Sequence, residues 1–161
     1  MPYNVRIEWA KGSGELFVNN KYSRAHTWIF DGGIEVTASS SPHVVPLPFS
    51  IEAAVDPEEA FVASISSCHM LWFLSIAAGN NLVVERYEDD AEGVLGKDTN
   101  GKLAMTKVTL NPRVAFNSKT VPSGEQLEEM HHLAHGKCFI ANSVKTEIMV
   151  KIQQSTAEQT E

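Results

Sequence analysis

Apolar and polar residues alternate along much of the first forty positions. Residues 4–9, NVRIEW, place an apolar side chain at every second position, the period of a half-buried strand. Residues 14–19, GELFVN, follow a glycine-rich turn and read as a further strand. Residues 26–39, HTWIF-DGG-IEVTAS, read as two strands about an Asp-Gly-Gly turn. Residues 39–50 carry three prolines and predict an irregular loop. At Asp56 the period changes. Asp56 is placed as an N-cap, Pro57 at the first helical position and Glu59 as the far member of a capping box. The helix is expected to run to about Gly79, where GNN signals a C-cap. Its apolar residues cover nearly the whole circumference, which predicts a central, buried helix. Residues 82–95 alternate as one long strand, and KDTNGK turns the chain back into residues 103–116. A second capped helix is expected over residues 123–136, with Ser123 as N-cap, Gln126 in the box and Gly136 as its end. A short helix and loop then lead into a closing strand, TEIMVKI. The polar tail from about residue 153 is expected to fray. Strands and helices do not alternate strictly, so the fold class is α+β, with a largely antiparallel sheet packed on a long central helix.

Composition narrows the possibilities. The 161 residues, 43% hydrophobic and 20% charged, suit a single domain, residues 1–161, able to bury a core without disulfides. A formal net charge of -7 argues against nucleic-acid binding, which leaves a basic footprint. The basic residues are scattered, so no membrane-binding patch is expected. Glu58, Glu59, Ser64, Ser66 and His69 interrupt the longest apolar stretch and make it too polar for a membrane span. The N-terminus has no basic start followed by an apolar run, and the expected location is cytoplasmic. Cysteines there are more often redox-active or metal-binding than structural. The chain has two, Cys68 and Cys138.

A thiol reacts as the thiolate, and an apolar setting disfavours that form. Cys68 lies roughly 18 Å along the helix from Asp56 at ~1.5 Å per residue, beyond reach of the helix dipole. Either a cation comes from elsewhere or Cys68 is an inert core residue. Should the two cysteines meet in the fold, Cys68 would be the attacking and Cys138 the resolving thiol of a peroxide-reducing pair.

The segments DPEEAFVASISSCHM, residues 56–70, and CFIANSVKTEI, residues 138–148, resemble the OsmC/Ohr family, the osmotically inducible protein C and organic hydroperoxide resistance proteins. The resemblance extends from about Ser23 to Ile152. The family pattern has an Asn/Asp-Pro-Glu motif with a helix cysteine ten positions after the Glu, matched by Glu58 and Cys68. Its second cysteine, after the next helix, matches Cys138, and its early-turn arginine matches Arg24 in YSRAHTWIFDGG. The resemblance implies the OsmC-like fold and an intertwined homodimer with sites at the subunit interface. It also implies thiol-dependent reduction of organic hydroperoxides and recycling by a dithiol of lipoyl type, with no cofactor. Phe139 stands where the hydroperoxide-resistance branch carries proline, and Arg24 lies outside a glycine-rich turn.

On this reading Arg24 supplies the cation beside sulfur, and Glu58 holds it as a bidentate partner. Ten residues of straight helix separate Glu58 from Cys68 by about 15 Å and roughly 80°. Either the helix breaks near Ala60, or Glu58 and Cys68 of different subunits share a site. His131, His135 and Cys138, spaced i, i+4, i+7, could form a zinc site with Cys68. A pair of histidines in a Glu-rich helix more often marks a solvated face. His69 points about 100° away from Cys68 and is not its base. Trp28, Trp72, Phe73 and Phe139 are expected in the core. The second functional reading is a small-molecule-binding protein of the same fold without turnover.

Overall fold

The structure, a computed structural model, describes residues 1–159. The chain forms two compact units, one of Met1–Ala60 and one from Phe61 onward. In the first, β1 (Val5–Glu8), β2 (His26–Phe30) and β3 (Glu35–Ala38) make an antiparallel sheet in the order β1-β2-β3. Gly33, at φ 84°, lets the expected hairpin close, with its N–H donating to Phe30. GELFVN is not a strand. Phe17–Asn19 form a 3-10 turn, and Asn20 ends it in the left-handed region at φ 63°. Its apolar residues cluster locally instead of alternating on a sheet. The Phe17 ring centroid lies 4.7 Å from Tyr22 and 5.8 Å from Trp9. Residues 39–50 are irregular, as the prolines require.

Helix α1 (Pro57–Gly79) begins with the expected box: Glu59 N–H donates to Asp56 Oδ1 at 2.8 Å and Asp56 N–H donates to Glu59 Oε2 at 3.2 Å. Such a cap stabilises a helix by about 1 kcal/mol. Two expectations for α1 need correction. Its buried residues are Ile65, His69, Phe73 and Ala77, a single i, i+4 stripe, so within one chain the helix is not buried all round. Apolarity on every face does not guarantee a neighbour for every face. By length and composition α1 is also apolar enough to cross a membrane. Its two carboxylates sit in the first turn, and the serines that follow are too weakly polar to count against it.

The second unit holds β4 (Val84–Asp89), β5 (Glu92–Lys97), β6 (Leu103–Leu110), β7 (Pro112–Asn117), α2 (Gly124–Lys137), β8 (Glu147–Val150) and β9 (Thr156–Glu158). They form two three-stranded sheets, β4-β7-β9 and β5-β6-β8. In each an antiparallel pair is extended by a parallel strand. The single sheet is thus three among the described residues, though the pairing remains mostly antiparallel. The long strand expected over 82–95 breaks at Asp90–Ala91, and that over 103–116 breaks at Asn111. One hydrogen-bonded knot causes both breaks. The Asp89 carboxylate accepts from Asn111 N–H at 2.6 Å and from Ser66 Oγ at 2.5 Å, while Asn111 Nδ2 donates to the Asp90 carbonyl. α1 lies so close to β5 that a Cβ at Gly93 would stand 2.4 Å from Val62. The tail does not simply fray. β9 pairs with β7, and Glu158 forms an ion pair with Arg86.

α2 starts at the expected Ser123–Gln126 box. It continues through Gly136 to Lys137, with Cys138 as C-cap. Its buried residues, Leu127, Met130, His131 and Ala134, fall on one face. His131 therefore sits on the apolar stripe, contrary to the solvated face expected for it; His132 is exposed. The Nδ1 of His131 meets His69 Nε2 at 3.0 Å, with the rings nearly parallel, and His131 stacks on Phe73 at 4.3 Å. Burial holds both imidazoles neutral. His69 is pushed down to about 4, with His135 nearby adding to the effect of burial, and His131 to about 3, with His69 adding to it.

In the unfolded chain both rings take up protons near pH 6.5, so the unfolded state binds more protons than the native state as pH falls. These two rings should leave native stability unchanged above that value and lower it by about 3 kcal/mol each, about 6 kcal/mol together, between about pH 6.5 and about pH 4. Denaturant unfolding across this range checks it; His131→Met should flatten the slope.

Candidate active site

Cys68 and Cys138 come together in the second unit. The Cys138 thiol lies near enough to Cys68 for each to affect the other's ionisation. Two neighbouring ridges of α1 build this arrangement. His69 and Phe73, one turn apart, hold His131. Cys68 and Trp72, also one turn apart, hold Cys138 and Phe139, with the Trp72 and Phe139 rings edge to face at 5.6 Å. Positions within six residues of α1 thus meet positions eight residues apart around α2, so the two helices cross steeply. Phe139 is 67% exposed and is not the core residue the sequence suggests; Phe73 is in the core, and Trp72, half-buried, packs against it.

The two sulfurs differ in setting. Cys138 is 1% exposed and Cys68 half-buried. Burial and the neighbouring Cys68 push the Cys138 thiol up to about 11. Ala141 N–H donates to its sulfur at 3.3 Å, opposing that shift. The short 3-10 turn Ala141–Ser143 that follows α2 supplies this donor. At neutral pH Cys138 therefore stays a protonated thiol, and Cys68 is the sulfur that a reagent from solution reaches.

Arg24 and Glu58 lie in the first unit and line one cavity of about 510 Å³, together with Trp9, Phe17, Tyr22 and His26. Glu58 is not the bidentate partner expected for Arg24, and among the described residues the two form no ion pair. The guanidinium is occupied locally. Nη2 donates to Asn20 Oδ1 at 2.8 Å, and Nη1 donates to the Asn20 and Tyr22 carbonyls. The guanidinium carbon stacks 3.7 Å from the Tyr22 ring centroid. The left-handed backbone of Asn20 presents both of its oxygens to one guanidinium. His26 fixes the next turn: its Nδ1 donates to the Arg24 carbonyl at 2.7 Å, while its Nε2 accepts from the Trp28 indole at 2.9 Å. Between a carbonyl and an indole N–H only the neutral Nδ1–H tautomer satisfies both bonds.

α1 is unbroken from Pro57 to Gly79. The break near Ala60 does not occur, and Glu58 stands about 15 Å along the helix from Cys68. The zinc alternative lacks its ligand set. His131 faces His69, and no group of three or more His, Cys, Asp or Glu among the described residues is placed to hold a metal ion. Sequence reasoning missed the His69–His131 pair and the Asn20–Tyr22 seat of Arg24. The first was visible as a histidine in phase with Leu127, Met130 and Ala134. The second depends on a turn conformation without a pattern of its own.

Residues 51–153 match the family model described as OsmC-like protein. An OsmC-like protein of unknown function from Vibrio cholerae is 56% identical, covering 95% of this chain and 99% of its own, with a TM-score of 0.93. An OsmC-like protein from Mycoplasma pneumoniae shares the fold at 13% identity and a TM-score of 0.71, covering 96% of this chain and 98% of its own. The organic hydroperoxide resistance protein OhrB of Bacillus subtilis does so at 16% identity and a TM-score of 0.61, covering 98% of each chain. No curated relative matches the chain. With its helix-borne cysteine close to a second, buried one, and with a family match over most of its length, this chain belongs to the OsmC-like protein family.

Proposed function

We propose that the protein is a cytoplasmic thiol-dependent peroxidase that reduces organic hydroperoxides to alcohols. The observation that carries this reading is the proximity of a half-buried Cys68 and a buried, protonated Cys138. The Cys68 thiolate attacks the terminal peroxide oxygen. The O–O bond breaks, the alkoxide leaves and takes up a proton as alcohol, and Cys68 becomes a sulfenic acid. The neighbouring Cys138 thiol displaces water to form the Cys68–Cys138 disulfide. An external dithiol of lipoyl type returns both thiols by two exchanges and is itself oxidised. Arg24 stabilises the thiolate and the peroxide oxygen. Its seat on Asn20 and Tyr22 leaves it pre-oriented without Glu58 as its anchor, and Glu58, on the same cavity, is left to contact substrate.

The protein acts as a homodimer in which a partner supplies Arg24 and Glu58 to each Cys68. Leu71 on α1 is 60% exposed, and the apolar Val5 and Ile7 of β1 are about half exposed. Apolar surface of that kind favours a second copy. A second reading, a non-catalytic small-molecule-binding protein, draws on the aromatic-walled cavity beside Arg24.

Cumene or fatty-acid hydroperoxide, added to reduced protein and followed by mass spectrometry of the thiols, separates the two. The peroxidase loses both thiols rapidly to one disulfide; unreactive thiols would leave the binding protein. Cys68→Ser should abolish turnover, and Cys138→Ser should accumulate a sulfenate at Cys68. Arg24→Met should lower kcat/KM for the hydroperoxide by about 10²-fold, read by peroxide consumption. Sedimentation should give a dimer for the native chain, shifted toward monomer by Leu71→Glu.

A further inference from the structure

α1 has a register problem. It is apolar on all sides, with little distinction between faces, so hydrophobic burial alone opposes only weakly a shift of α2 along it. Dispersion and apolar transfer are non-directional. A buried polar contact is directional and expensive to break, and is the device by which packed helices fix one register among several. Of the hydrogen bonds between side chains in this crossing, one joins two fully buried groups. His69 and His131, 1% and 2% exposed, meet at 3.0 Å. His69 adjoins Cys68 in the chain. His131 precedes Cys138 by seven residues, two turns of α2, and so lies on the same helix face. The remaining His69 nitrogen, Nδ1, has no partner among the described residues. Loss of the His131 contact would thus leave the His69 ring buried with both nitrogens unsatisfied, at considerable cost.

We propose that His131 is a positioning residue for the thiol pair: by bonding His69 it locks α2 in the one register on α1 that holds Cys138 against Cys68. This rests on the disulfide step proposed above and adds to it what keeps the two sulfurs within reach. The lock acts on the disulfide equilibrium, because a pair held in register closes at a higher effective concentration than one that slides.

The test is the reduction potential of the Cys68–Cys138 disulfide in the full chain, from equilibration in dithiothreitol redox buffers, alkylation and mass spectrometry. His131→Met and His69→Met should each disfavour the disulfide about tenfold, a potential about 30 mV less negative. The double variant should be no worse than either single one, since both remove one interaction. His131→Asn places an amide where Nδ1 stood and should stay within about threefold of the native value. A folded His131→Met variant that melts earlier but keeps the native potential overturns the proposal, as does independent addition of the two single effects. If neither methionine variant folds, His131→Asn decides: a native potential supports the lock, and a tenfold shift at native melting temperature overturns it. A native chain that forms no disulfide overturns this proposal and the resolving step together. A native chain that forms it, with a His131→Met variant that forms it equally well, overturns this proposal alone.

Discussion

Where α2 crosses α1, two adjacent ridges of one helix grip two stretches of another. On one ridge an imidazole pair is buried beside Phe73; on the next a thiol pair lies beside Trp72. The crossing carries both a structural and a chemical contact, and neither sheet of that unit provides either. The hydrophobic cores around Phe73 and around Ile65 supply the mass of the stabilisation. They do not determine which α1 residue faces Cys138.

The chemistry follows from unequal burial. Two thiols in identical surroundings would compete to attack and to resolve. Here one is sealed and protonated and the other opens toward solvent, an asymmetry that suits the attacking and resolving roles proposed for them. The turn after α2 contributes by donating the Ala141 N–H to the buried sulfur, which spares Cys138 complete isolation. In the other unit, Arg24 is held by backbone carbonyls and an aromatic face, groups that keep their geometry at any pH.

Much of this was legible in the chain. Both capping boxes, the Asp-Gly-Gly hairpin and the position of Cys138 at the end of α2 follow from local rules acting over three or four residues. The pattern of Glu58, Cys68 and Cys138 came instead from the resemblance to the OsmC/Ohr family. What was not legible depends on distant partners. Residues 82–95 alternate as a strand should, yet Asp89 is claimed by Asn111 and Ser66, and the strand ends there. GELFVN has strand-like composition, yet Phe17 finds Trp9 and Tyr22 instead of a sheet. The polar stretch after residue 153 joins a sheet because β7 offers it an edge and Arg86 a charge. Neither residue is near it in the chain.

That last strand has a practical side. Backbone groups of β7 that β9 occupies would stand bare in a chain cut after the family-matched region, which ends at residue 153. An uncovered edge of this kind invites strand pairing between molecules. Trimming to the matched boundaries would therefore trade a solubility safeguard for compactness, and expression designs gain by retaining the eight residues after 153.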